Sequence, residues 1–271
     1  MSLGKELRLG RLFAHPSGRL CSVAADHFVG YQDGLPAGLR DLPRTIAAIV
    51  EGRPDALTLH KGAAIHCGGL LAGKVPLIVQ SIAGRPDDSA DEHLALPQDA
   101  LRLGADAFAI AAFVRGATEA AHLRRVADLV RQAEEWSLPV ILHIYPRHFL
   151  PDGKVEIVHT PEDIAWTLRC GVELGVDVIK TPYTGDPQSF GQLVAECPAP
   201  VVAAGGPKAA TLRQALELAE GVVESGAAGL TVGRNVWGFA DIAAAVRAFK
   251  AVIHEGNSAA EALKQEGLEN E

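Results

Sequence analysis

The sequence predicts an α/β protein built as one closed (β/α)8 barrel of the TIM type, and three observations carry that prediction. Eight short apolar runs recur at a steady interval, segments with helical apolar spacing lie between them, and most runs end in polar or glycine-rich residues. Eight such units in about 240 residues match a closed barrel, whereas a doubly wound open sheet more usually shows about five to seven strands and a nucleotide fingerprint. Residues 1–254 are assigned to a single barrel domain and 255–271 to an acidic C-terminal extension, expected to fray or else to dock in an oligomer.

The runs, in order, span 20–25, 56–59, 77–80, 107–111, 140–144, 177–180, 201–204 and 229–232. Helical patterns such as 119–136, 161–174 and 211–224 alternate with them. Thr160-Pro161-Glu162 places a capping residue before a first-turn proline and acid, and Gly104, Gly175 and Gly226 stand where helices must stop ahead of strands.

Composition sets the outer limits. At 48% hydrophobic and 21% charged residues the chain buries a large core, and no stretch of about 18 apolar residues predicts a membrane span. The net charge is −8, but Glu255, Glu261, Glu266, Glu269 and Glu271 crowd the tail against Lys264, so the body is nearly balanced. Neither nucleic acid nor an anionic membrane is an expected partner, while a small anionic metabolite held by local donors is. Cys21, Cys67, Cys170 and Cys197 form no C-x-x-C pair and read as structural thiols; with no signal-peptide pattern at the start, a cytoplasmic location is expected.

Active groups of such barrels collect where strands end, so the run ends are read together. Val176, Val178 and Lys180 share one face by period-two alternation, which points Lys180 into the barrel if Val178 fills it. A lysine amine at an apolar inner rim loses hydration, its pKa falls, and the neutral amine attacks a ketone to form a Schiff base; the alternative is a lysine snorkelling to a loop carboxylate. Ile141, His143 and Tyr145 align likewise, with Tyr145 at the rim as a proton exchanger, or else an aromatic plug, and His143 one layer deeper. Ser22, Ala24 and Asp26 align on the first run, where Asp26 either assists carbinolamine dehydration and steadies the iminium or makes a structural ion pair.

Gly205-Gly206-Pro207-Lys208 and Gly233-Arg234-Asn235 follow the seventh and eighth runs, the position where many barrels hold phosphate on bare backbone N–H groups. Gly205, Gly206, Lys208, Gly233, Arg234 and Arg147 are therefore the expected phosphate-binding set, with His143 and His27 supporting the catalytic one. The run Gly68 to Lys74 imitates a nucleotide loop but has Val75 in place of the hydroxyl residue and precedes a strand. His60, His66, His143, His148 and His159 lack metal-ligand spacing, so no metal and no other cofactor is expected.

Together these residues resemble the archaeal-type class I aldolases, which include fructose-bisphosphate aldolase and transaldol and thiolase relatives. The resemblance rests on Asp26-His27, Tyr145-Pro146-Arg147, the segment from Val178 to Gly185, the run Ala204 to Lys208, and the run Val232 to Trp237. It implies that Lys180 is the Schiff-base lysine, Tyr145 the proton donor and acceptor, and Asp26 the assisting carboxylate. It also implies a phosphorylated sugar or keto substrate and a homo-oligomer, a ring or decamer. Phe28 and His148 stand where the family usually has glycine, and the loop 30–43 is unlike the usual spacing, so the aldehyde half of the site is expected to be reshaped. Three other readings stand beside a lyase: a transaldolase- or thiolase-type transferase using the same lysine, a metal-dependent aldolase, and a non-catalytic phosphosugar-binding barrel.

Overall fold

Eight parallel strands close on themselves in the computed structural model, which describes residues 2–27 and 34–269. They are β1 (Leu20–Ala24), β2 (Ala56–His60), β3 (Leu77–Gln80), β4 (Ala107–Val114), β5 (Val140–Phe149), β6 (Val178–Pro182), β7 (Val201–Ala204) and β8 (Gly229–Val232). Each pairs with the next and β8 returns to β1, so no strand edge in the ring is left open.

Alternation divides every strand between two cores. Outward residues such as Val23, Leu57, Phe108, Leu142, Ile179 and Leu230 pack under the surrounding helices. Inward residues Leu20, Ala56, Ile78, Ile141, Val178 and Val202 fill the lower barrel around Leu12, and the next inward positions, Ser22, Thr58, Gln80, His143, Lys180 and Thr231, are polar and buried. Val178 does fill the barrel, so Lys180 two residues on faces inward.

Leu12 belongs to a helix at Leu3–Leu12 that was not anticipated; it closes the N-terminal mouth. Ser2 caps it by accepting from the Lys5 amide, and ion pairs Lys5–Asp177 and Arg11–Asp106 tie it to the ends of strands. The peripheral helices follow the sequence signals closely, at Glu119–Glu135, Pro161–Glu173 and Leu212–Glu224, with Thr160 and Thr211 capping the last two. Gly104, Gly175 and Gly226 take the left-handed conformation that ends a helix, with φ of 74°, 71° and 76°.

Two expectations are corrected. β4 and β5 run beyond 111 and 144, pairing up to Val114 and Pro146, and β5 then turns back through an antiparallel strand at Val155–Ile157. A second hairpin, Ile82–Gly84 with Asp91–His93, stands above β3, so two overhanging walls flank the C-terminal mouth. The extension from 255 does not fray across the described residues. Ala259–Glu266 is a helix with a capping box at Ser258 and Glu261, and it buries Ala259, Ala262 and Leu263 against the barrel helices and holds Arg247 through Glu266. Among the described residues no helix is long and apolar enough to cross a membrane.

Candidate active site

A cavity of about 650 Å³ opens at the C-terminal mouth of the barrel, and Asp26, His27, His143, Tyr145, Lys180, Gly205, Gly206, Gly233 and Arg234 all line it. Strand ends as far apart along the chain as those of Asp26 and Arg234 are thus brought to one chamber because inward positions of a closed barrel converge on its axis.

Lys180 is 6% exposed and closes no salt bridge among the described residues. Burial pulls its pKa down to about 8 and the Arg234 guanidinium adds to that, while Asp26 opposes it. At pH 7 about one amine in ten is then neutral, against roughly one in three thousand for an unperturbed lysine.

Asp26 answers with the opposite balance. Its burial favours the neutral acid, but His27, His60, Lys180 and His143 face it and hold its carboxyl down to about 2. Gln80 fixes this carboxylate: the Ile82 amide donates to Gln80 Oε1 (3.2 Å), which leaves Gln80 Nε2 to donate to Asp26 Oδ2 (3.3 Å) and to His143 Nδ1 (3.1 Å). His60 sits between two backbone oxygens, with Nε2 3.0 Å from Asp26 O and Nδ1 3.3 Å from Gln80 O; both oxygens are acceptors, so a ring N–H donates there and buttresses the end of β1. His143 is pushed well below its ordinary pKa by burial and by Lys180, and His27 to about 4 by burial, so both rings are neutral at pH 7. With Nδ1 of His143 accepting from Gln80, its proton lies on Nε2.

The two glycine loops are stitched into one surface by Asn235. Its Nδ2 donates to Gly205 O (2.8 Å) and Pro207 O (3.0 Å), and its Oδ1 accepts from the Ala209 amide (2.8 Å). Trp237 Nε1 donates to Ala24 O (2.9 Å) and anchors the strand that carries Asp26. Gly233 is required where it stands: a Cβ there would lie 2.5 Å from His27 Cε1 and 2.8 Å from Ala24 O. Gly206 has φ +68°, with open space on the side a Cβ would occupy.

Two members of the expected phosphate-binding set are corrected. Arg147 does not line the cavity; its guanidinium is 1% exposed, donates to Pro86 O, Asp88 Oδ1 (2.6 Å) and Thr118 Oγ1 (2.6 Å), and lies over Phe113 and Phe149. Lys208 does not line it either, with its ammonium 4.6 Å from the centre of the Phe239 ring. Both long side chains follow buried acceptors or an aromatic face that local spacing does not reveal. His148 is exposed on the hairpin opposite Glu156, outside the lining, so it does not narrow the mouth; Phe28 and residues 30–33 of the long loop lie outside the described residues. Gln80 and His60 were legible only as polar strand ends, and Glu156 and His159 carried no local signal at all.

With the geometry in place, comparison with known proteins decides the family. The model of the DeoC/LacD family of aldolases matches residues 20–238. The chain belongs to that family. It is 35% identical to the class 1 fructose-bisphosphate aldolase of Thermoproteus tenax over 93% of this chain and 96% of the relative. It is 28% identical to the 2-amino-4,5-dihydroxy-6-oxo-7-(phosphonooxy)heptanoate synthase of Streptomyces griseus, over 94% and 92%. Among solved structures it is similar to an archaeal fructose-1,6-bisphosphate aldolase whose catalytic lysine is covalently bound to the carbinolamine intermediate of its substrate. That match has a TM-score of 0.79 at 30% identity and covers 93% of this chain and 99% of the other. The barrel of this DeoC/LacD aldolase family member is therefore the α/β fold expected from its alternation.

Proposed function

We propose that this protein is a Schiff-base aldolase acting on a phosphorylated ketose, with Lys180 as the nucleophile. The observation that carries the reading is a buried, inward lysine whose pKa is drawn down to about 8 in the same chamber as an ionised carboxylate and a tyrosine.

In this reading the neutral Lys180 amine adds to the substrate ketone to give a carbinolamine, and loss of water yields an iminium. Asp26 relays the protons of that dehydration and steadies the cation. Tyr145 takes the proton of the C4 hydroxyl, the C3–C4 bond breaks, its electron pair flows into the iminium, and an aldehyde leaves. The resulting enamine is protonated at C3 and water hydrolyses the new iminium, restoring the amine. The N–H groups of Gly206 and Gly233 and the Arg234 guanidinium hold the phosphate beside β6, since β7 and β8 follow it around the ring; the Gly205 N–H, expected to join them, is spent on the Thr231 carbonyl at 2.9 Å. The reverse condensation uses the same groups, and names such as synthase among the relatives favour that direction as the second reading. A homo-oligomer belongs to this proposal, supported by the exposed Leu3 and Leu7 on the N-terminal helix.

The test is borohydride reduction with dihydroxyacetone phosphate followed by intact mass and peptide mapping. One reduced adduct per subunit on Lys180, absent in Lys180→Met, is the expected result. An adduct undiminished in that variant, or none with any phosphorylated ketone, overturns the mechanism. Aldehyde release from a ketose phosphate alone marks a lyase; release only when an acceptor is added marks a transferase.

A further inference from the structure

A buried ionic cluster lies between the overhanging hairpin of Ile82–Gly84 with Asp91–His93 and the helix Glu119–Glu135, and no step of the chemistry above uses it. Asp88 sits in the turn of that hairpin at a left-handed φ of +61°. Its Oδ1 accepts from Arg147 Nη1 (2.6 Å) and His122 Nε2 (3.0 Å), and its Oδ2 from Thr118 Oγ1 (2.7 Å). The proton positions follow from the neighbours. Arg125 Nη2 donates to His122 Nδ1, so Nε2 carries the ring proton, and Thr118 Oγ1 accepts from Arg147 Nη2 (2.6 Å) and gives its own proton to Asp88. Burial favours the neutral acid, but hydrogen bonds from Arg147, His122 and Thr118 hold the Asp88 carboxyl at about 2. Arg147 also donates to Pro86 O, and Arg125 pairs with Asp91, so the hairpin is bound both to β5 and to the helix.

The cluster reaches the chemistry through one ring. The Arg147 guanidinium lies 5.6 Å from the centre of Phe113, and the His122 ring meets the same phenylalanine edge-on at 5.7 Å. Phe113 packs in turn on Tyr145, with ring centroids 5.9 Å apart and a tilt of 32°. The two are register partners on β4 and β5 and both line the cavity, and a Cβ on Gly84 of the hairpin would lie 3.4 Å from Phe113 Cε2. We infer that Asp88 and Arg147 are positioning residues whose ion pair, under the overhanging hairpin, holds Phe113 where it orients the Tyr145 phenol for the carbon–carbon step. The inference rests on the Schiff-base reading above, in which Tyr145 takes the C4 hydroxyl proton, and adds to it two residues outside the cavity lining. A planar guanidinium bonded to three acceptors has one seat, which a lysine ammonium does not reproduce. A phenol turned out of reach of the C4 oxygen loses its proton transfer, while Lys180 on β6 and Asp26 on β1 still form the imine.

The experiment compares the wild type with Asp88→Asn and Arg147→Lys in two assays. Borohydride trapping with dihydroxyacetone phosphate reads the imine. Condensation of dihydroxyacetone phosphate with glyceraldehyde or glyceraldehyde 3-phosphate, whichever the wild type uses faster, reads the carbon–carbon step. Asparagine tolerates the left-handed backbone as aspartate does, so Asp88→Asn removes the charge and keeps the turn. Its trapping rate should stay within about twofold of the wild type, while kcat for condensation falls about tenfold with KM little changed, as displacement of a proton-transfer group does. Arg147→Lys should lose more of kcat than Asp88→Asn. In a Phe113→Leu background Asp88→Asn should cost less than about twofold further, because its effect travels through the ring. Thermal unfolding and circular dichroism confirm that each variant is folded. Losses that multiply in the double variant overturn the inference, as do trapping and condensation that fall together, or a kcat unchanged in both single variants. An adduct in the wild type with any of these results overturns this inference alone, and no adduct in the wild type overturns the Schiff-base reading with it.

Discussion

Lys5 and Lys180 sit at opposite mouths of one barrel and are equally buried, each 6% exposed, yet their nearest carboxylates are arranged differently. Lys5 reaches both oxygens of Asp177, at 3.0 and 2.9 Å, and Asp177 also accepts from the Val140 amide, so the pair is a closed tie under the N-terminal plug. Lys180 closes no such tie; Asp26 acts on it only through space while Gln80 and His27 hold that carboxylate in place. Burial alone therefore does not make a lysine reactive. The difference lies in where the nearest carboxylate spends its hydrogen bonds: the pair at the floor is closed by two direct contacts, while the carboxylate at the rim is offset from the Lys180 amine.

The strongest way to break this comparison is to delete each amine in turn. Lys180→Met should reduce turnover by about 10^4-fold or more without lowering thermal stability, because no paired charge is orphaned. Lys5→Met should do the reverse, losing about 3 kcal/mol because Asp177 stays buried without its cation, with trapping at Lys180 retained in the folded protein. Calorimetry and borohydride trapping of both variants check this, and the double variant Lys5→Met/Asp177→Leu should recover part of the stability. A Lys180→Met protein as destabilised as Lys5→Met would erase the distinction.

A smaller effect sharpens it. Gln80→Leu removes the donor shared by Asp26 and His143, so kcat should fall about tenfold or more while KM changes little, consistent with ~1.5–3 kcal/mol for a hydrogen bond to a charged group. Steady-state kinetics on the best phosphorylated substrate decide it, and equal losses in kcat and affinity would reduce Gln80 to general packing.

The smallest effect is the pH dependence of imine formation. Since the neutral amine is the attacking species and its pKa is about 8, the trapping rate should climb close to tenfold from pH 6 to 7 and level off above pH 8. A rate still climbing at pH 10 would show an unperturbed lysine. Asp26, held near 2, stays ionised throughout and contributes no limb in that range.

Much of this was legible along the chain. Period-two alternation is a local property of an extended backbone, so the inward set of Asp26, His143, Tyr145 and Lys180 follows once β1, β5 and β6 are recognised and one neighbour such as Val178 is known to be interior. Helix ends at Gly104, Gly175 and Gly226 were equally local, because a left-handed φ is set within one residue.

Tertiary structure alone decided the partners of long or distant side chains. Arg147 lies 59 residues from Asp88 and Gln80 lies 63 from His143, separations at which sequence spacing carries no geometry. The same holds for the tail, whose acids suggested a frayed extension until Ala259, Ala262 and Leu263 found a hydrophobic seat on the barrel helices. The sequence by itself determined which face of each strand the reactive residues occupy, because backbone sterics dictate alternation. Only the closed barrel decided which of them meet and which long side chains are bound elsewhere, as Arg147 is to Asp88, because those outcomes depend on contacts that exist only after the ring has closed.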